Sequence, residues 1–273
     1  MLSSLLLILC VATLSMGLRT FRSVALQKLG ALGIFATSFI AGYLVSERNV
    51  FVGLFCASTW LLLPWLEILT RIRNLRLPLE KSLSHQAPPS SEAFPDLNEL
   101  TSEIEGEGFE HADDTGWDWE DYRQFFRLFY KSGDRAQAAI CFIDQQDIAF
   151  YYLSISSRAK DGAVWTTWNY PFSHSLKPVP QLKINRMKAT DTFLQMYESH
   201  REFLRQHGID AAQLEELSGE QLQVEIQKDL RAQIAHNLAQ GVLTDAGEGQ
   251  IRYSWRGLFF IWVQFLRDLV RLS

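Results

Sequence analysis

The sequence is poor in the features that mark an enzyme or a cross-linked fold. Its 273 residues include three cysteines, Cys10, Cys56 and Cys141. Their spacing suits neither a disulfide framework nor a zinc site, and Cys10 and Cys56 lie inside apolar runs, where a free thiol behaves as a small hydrophobe. There is no Gly-rich phosphate loop, no G-x-S-x-G elbow and no H-E-x-x-H pair. No catalytic residue, cofactor or metal is therefore expected. His200 and His207 share one helical stretch with Glu198 and Glu202. Two helical turns separate them by roughly 10 Å, too far for one metal, so exposed positions on a charged helix are expected. His174 and His236 have no partner visible in the sequence.

Charge is missing from three stretches. Leu2–Leu18, Leu29–Val45 and Val50–Leu66 contain no Asp, Glu, Lys or Arg. A helix rises about 1.5 Å per residue and a bilayer core is about 30 Å thick, so roughly 17–25 apolar residues cross it. These runs, extended by neutral flanks, predict three transmembrane helices over about 2–18, 29–46 and 50–69 within an anchor of residues 1–81. A cleaved signal peptide competes for the first run, but no base precedes Leu5, and Leu9 before Cys10 argues against a lipoprotein site. The second span carries small residues at four-residue spacing, Gly33, Thr37 and Ala41, beside Ser38, Gly42 and Ser46. Such stripes let helices approach closely where lipid gives no hydrophobic drive. Packing among the three spans is the expected use. Pro64 is expected to kink the third span, and Trp60 and Trp65 suit its membrane boundary.

The remaining charge is uneven. Residues 1–91 hold eight Lys or Arg against three acids, whereas residues 92–121 hold twelve acids and neither Lys nor Arg. Arg19, Arg22 and Lys28 occupy the first connection; Arg71, Arg73, Arg76 and Lys81 follow the third span. Bases stay on the cytoplasmic side, which predicts an outer N-terminus, an inner C-terminus and a cytoplasmic-membrane location. Residues 82–117, with Pro88, Pro89, Pro95 and the acid cluster, read as a disordered acidic linker. The acids lack calcium-loop spacing.

From 118 to 256 a soluble α+β domain is expected. Trp119, Tyr122, Phe126 and Phe129 suggest an opening helix. Ala138–Ile143, Ile148–Ser156 and Ala163–Asn169 read as strands of a small antiparallel sheet, with Gln181–Asn185 a short edge strand. Helices over 191–206 and from Ser218 to Gly241 follow, the second opened by a Ser218/Gln221 capping box. Gln250–Trp255 completes the strands. Trp165, Trp168, Tyr170 and Phe172 read chiefly as sheet core. Residues 257–273 form an amphipathic helix with too short a charge-free stretch to span a bilayer. Phe259, Phe260, Trp262, Phe265, Arg267 and Arg271 suit a position at the membrane surface, the alternative being packing on the domain.

The fold class expected is thus a membrane protein, a three-helix transmembrane bundle joined to an α+β domain. Lys177, Lys183, Arg186 and Lys188 suit anionic lipid, and without a basic aromatic signature nucleic acid is not expected. The expected role is a non-enzymatic scaffold binding a protein partner near the bilayer. An enzyme or lipid-binding protein acting on a lipid or lipid-linked substrate is the alternative, and an accessory transporter subunit a further one.

Overall fold

Seven α-helices and ten strands follow one another among the described residues of the computed structural model, which are 2–21, 23–120, 122–145, 148–188 and 191–272. The helices are α1 (Leu2–Arg19), α2 (Val24–Val45), α3 (Val50–Glu67), α4 (Leu97–Gly106), α5 (Phe193–Gln206), α6 (Gly219–Ala239) and α7 (Trp255–Leu272). The strands are β1 (Leu77–Pro78), β2 (Ser84–His85), β3 (Glu110–Trp119), β4 (Tyr122–Lys131), β5 (Ala136–Gln145), β6 (Ile148–Arg158), β7 (Val164–Trp168), β8 (Leu182–Arg186), β9 (Leu243–Gly247) and β10 (Gln250–Tyr253). They form two compact units. One gathers α1, α2, α3, α7 and the segment Ser173–Ser175; the other comprises Arg76–Phe172 and Leu176–Ile251.

In the helical unit, small residues set the helix spacing. A Cβ on Gly33 would lie 2.1 Å from Ser15 Oγ, and one on Gly30 2.7 Å from the Ser15 carbonyl. α1 and α2 therefore cross where only glycine fits opposite Ser15. On the other side of α2, a Cβ on Gly42 would meet Cys56 Sγ at 2.6 Å, and Trp60 Nε1 donates to Ser38 Oγ at 2.8 Å. Glu47 and Arg48 turn the chain with positive φ, and Asn49 caps α3 by accepting from the Phe51 N–H. Pro64 lies inside α3, which widens into a π-helical turn over Ile68–Ile72.

The second unit is α+β. Its main sheet has seven strands in the order β2-β3-β4-β5-β6-β7-β8. All neighbours pair antiparallel except β7 and β8, which run parallel. The sheet is accordingly larger than expected and mixed. The long connection 169–181 brings β8 back in the direction of β7, as a parallel pair requires. A second sheet, β1-β10-β9, has three strands.

Both faces of the main sheet are covered. Phe125, Phe129, Ile140, Phe142, Leu153 and Ile155 pack one face against Ile104 of α4 and Phe193, Met196 and Tyr197 of α5. Phe126, Leu128, Ala139 and Cys141 pack the opposite face against Leu222 of α6. Thr192 and Gln195 box the start of α5. At the start of α6, Gln221 Oε1 accepts from the Ser218 N–H at 3.0 Å.

Two expectations fail here. The opening helix is strand β4: its aromatic residues alternate between two buried faces, so no polar face shows and the spacing imitates a helix. Residues 82–117, read as a disordered linker, carry β2, α4 and most of β3, and bury Phe94, Leu97, Ile104, Phe109 and Trp117. Their acids have partners elsewhere. Asp114 accepts from Arg127, Glu110 from the Tyr130 hydroxyl, and Glu103 from the N–H of Phe193 at the start of α5.

Candidate functional site

The helical unit presents apolar side chains outward. Val45 is 83% exposed and Phe51 82%, with Leu9, Leu14, Leu32, Phe55 and Leu66 all more than half exposed. Two helices, Ala25–Val45 and Val50–Ile72, are long and apolar enough to cross a membrane; the apolar stretch of α1, Leu5–Arg19, is shorter.

α7 packs along α3 within this unit, an arrangement not foreseen from sequence. The Trp65 and Trp262 rings stack with centroids 6.0 Å apart, and Trp262 Nε1 donates to the Leu61 carbonyl at 2.8 Å. The Arg73 guanidinium lies 4.9 Å from the Trp255 ring centroid. Phe259 remains 55% exposed, while Leu258, Ile261 and Gln264 are buried. Phe260, Phe265 and Arg267 lie further round α7. Asp268 accepts from the backbone N–H and hydroxyl of Ser173. Of the expected basic anchors, Arg19 ends α1, Lys28 is exposed in α2, and Arg71 pairs with Glu67 at 3.1 Å. Arg76 opens the α+β unit, where its carbonyl accepts from Trp119 Nε1. Arg22 and the side chain of Arg271 lie outside the described residues. In the small-residue stripe, Thr37 donates to the Gly33 carbonyl at 2.7 Å and Ala41 is partly buried.

His200, expected on an exposed face, is only 1% exposed. Its Nε2 lies 3.1 Å from Ser157 Oγ and its Nδ1 3.0 Å from Thr167 Oγ1. Asn185 Nδ2 extends this network to Thr167 Oγ1 and Ser199 Oγ. Burial pushes the imidazole pKa down to about 4, so the ring is neutral and ties β6, β7 and α5 together. His207 is exposed against Trp165 and Phe203. Among the described residues no group of three or more His, Cys, Asp or Glu could hold a metal.

The site that sequence reasoning missed is a cavity of about 210 Å³ between the sheet and α6. Strand register builds its floor. Gln137, Ser156 and Thr166 stand directly across β5, β6 and β7. The next row is Ala139, Ser154 and Trp168; then come Cys141 and Tyr152. Leu222, Ile226, Asp229 and Gln233 of α6 form the roof. Small side chains at Ala139, Ser154 and Ser156 leave the space that a close-packed interior would otherwise fill. Visible in the sequence were only short polar residues alternating along β6, which a single strand cannot locate over a neighbour.

The cavity is electrically quiet. Both carboxylate oxygens of Asp229 accept from the buried Arg158 guanidinium, which also lies 3.5 Å from Glu225. Burial pushes the Cys141 thiol up to about 12 and raises the Tyr152 phenol well above its ordinary value. Both stay protonated, so the thiol is no nucleophile at neutral pH. Ser156 and Thr166 hydroxyls bond each other at 2.8 Å. Comparison with family models, curated proteins and solved structures finds no match for this chain.

Proposed function

We propose that this is a membrane-anchored binding protein. Its apolar helical unit lies in a bilayer, and its α+β unit is held at the cytoplasmic face, where it engages a protein partner. The observation that carries the reading is the outward apolar surface of α1–α3: so many large hydrophobic side chains in water mark a membrane or protein interface. Basic residues in the connection after α1, Arg19 and Lys28, and after α3, Arg71, Arg73 and Arg76, would share one side of a three-span bundle and support the cytoplasmic side. The inward use of Gly33 supports packing within the chain over a role as a transporter subunit. The test is purification in mild detergent with mass spectrometry of co-purifying species. A stoichiometric protein, lost when residues 76–251 are deleted, is the expected result; a chain that washes off membranes at alkaline pH defeats the reading.

The cavity favours a second reading, in which the α+β unit binds a lipid or other small molecule. Neutral protonated groups around the space support binding over chemistry.

A further inference from the structure

We propose that the cavity beneath α6 binds a compact, neutral, largely apolar molecule carrying one N–H or O–H donor, with Gln137 Oε1 as the acceptor. This rests on the ligand-binding reading above and names its ligand class. Three observations lead to it. The first is size. Apolar cavities of about 150 Å³ accept benzene, so about 210 Å³ accommodates a fused bicyclic ring. The walls match such a ligand: Phe126, Leu128, Leu222 and Ile226 are aliphatic or aromatic, and Tyr152 meets Trp168 edge-to-face at 6.2 Å.

The second is polarity. Gln137 Oε1 is buried and has no hydrogen-bond partner among the described residues. Leaving a buried acceptor unsatisfied is unfavourable, and a donor in the cavity removes that cost. The neighbouring hydroxyls of Ser156 and Thr166 bond each other, whereas the Gln137 amide oxygen is the acceptor on this row that lacks a partner among the described residues. The third is charge. Asp229, the acid on the roof, is held in both oxygens by Arg158, so nothing at the wall recruits a cation, and an anion would face that carboxylate. A neutral ligand follows.

The test uses the full chain in lipid nanodiscs, with 5-fluoroindole as probe and fluorine NMR as readout, empty nanodiscs being the reference. The expected result is saturable line broadening at one site per chain. 5-Fluorobenzothiophene, of similar shape but without a donor, should bind about five-fold more weakly, the effect of one hydrogen bond. Gln137→Leu should bring indole binding down to the level of the donor-free probe, and Ala139→Trp should block both by filling the floor. Gln137→Leu keeps the proposal testable should Ala139→Trp fail to fold. Equal wild-type affinity for the two probes overturns the donor requirement while leaving ligand binding standing. No saturable binding of either probe, or binding indifferent to both substitutions, overturns the site itself.

Discussion

Arg127 and Asp114 form a two-pronged ion pair across β3 and β4, Nε to Oδ1 at 2.8 Å and Nη2 to Oδ2 at 2.7 Å. Both side chains are nearly buried, at 12% and 9% exposed. His111 Nε2 lies 3.1 Å from the same carboxylate, and Arg127 also donates to Thr101 of α4. The pair therefore fastens the acidic segment to the sheet and α4 to both.

Removing one partner strands the other charge. Arg127→Ala should destabilise the α+β unit by about 3 kcal/mol, in the range for a broken buried pair. Burial alone would raise the Asp114 carboxyl, but hydrogen bonds from Arg127 and His111 and their charges outweigh it and hold its pKa below the ordinary value. A carboxyl depressed on folding stabilises above its unfolded pKa, about 3.9. That contribution is lost as pH falls below this value toward the depressed folded one. Urea unfolding followed by hydrogen exchange at Phe126 and Phe142 measures both effects.

His200 supplies a second acid-sensitive contribution in a different window. Its folded pKa, about 4, lies below the unfolded value near 6.5. The unfolded chain therefore binds more protons between these values, and stability falls as pH drops from about 6.5 to 4. The loss should approach about 3 kcal/mol at the low end. His200→Gln should flatten the thermal-melting profile between pH 4 and 6.5 and leave the Asp114 contribution below it unchanged.

The crossing of α1 and α2 tolerates little at Gly33. Gly33→Ala places a Cβ against Ser15 Oγ and Cβ, 2.1 and 2.8 Å away, and should cost about 1–3 kcal/mol, as overpacking does. Combining it with Ser15→Gly should recover part of the loss. Thermal stability in detergent, compared across the two single variants and the double one, checks the coupling.

α7 should depend on Trp262. Trp262→Ala removes the stack on Trp65 and the donor to the Leu61 carbonyl. α7 should then become susceptible to protease near Trp255, whereas Phe259→Ala, at an exposed position, should change little.

Much of the architecture was legible in the sequence, for identifiable reasons. Charge-free runs revealed the apolar helices, and β-branched and aromatic runs revealed β5 to β8, because these signals lie within one segment. The illegible parts depend on partners distant in sequence. The acids of β3 looked unpaired because Arg127 and His85 lie outside the acidic window. β4 looked helical because both its faces are buried. His200 looked exposed because Ser157 and Thr167, its partners, arrive from two other strands. The cavity arises only when Gln137, Ser156 and Thr166 are placed side by side by register.

The proposed arrangement has the helical unit in a bilayer and the α+β unit on the cytoplasmic side. Paired fusions of a fluorescent protein and alkaline phosphatase to the C-terminus test it most directly. Membrane-bound fluorescence with silent phosphatase is the predicted result; active phosphatase, or fluorescence recovered in the soluble fraction, would contradict it.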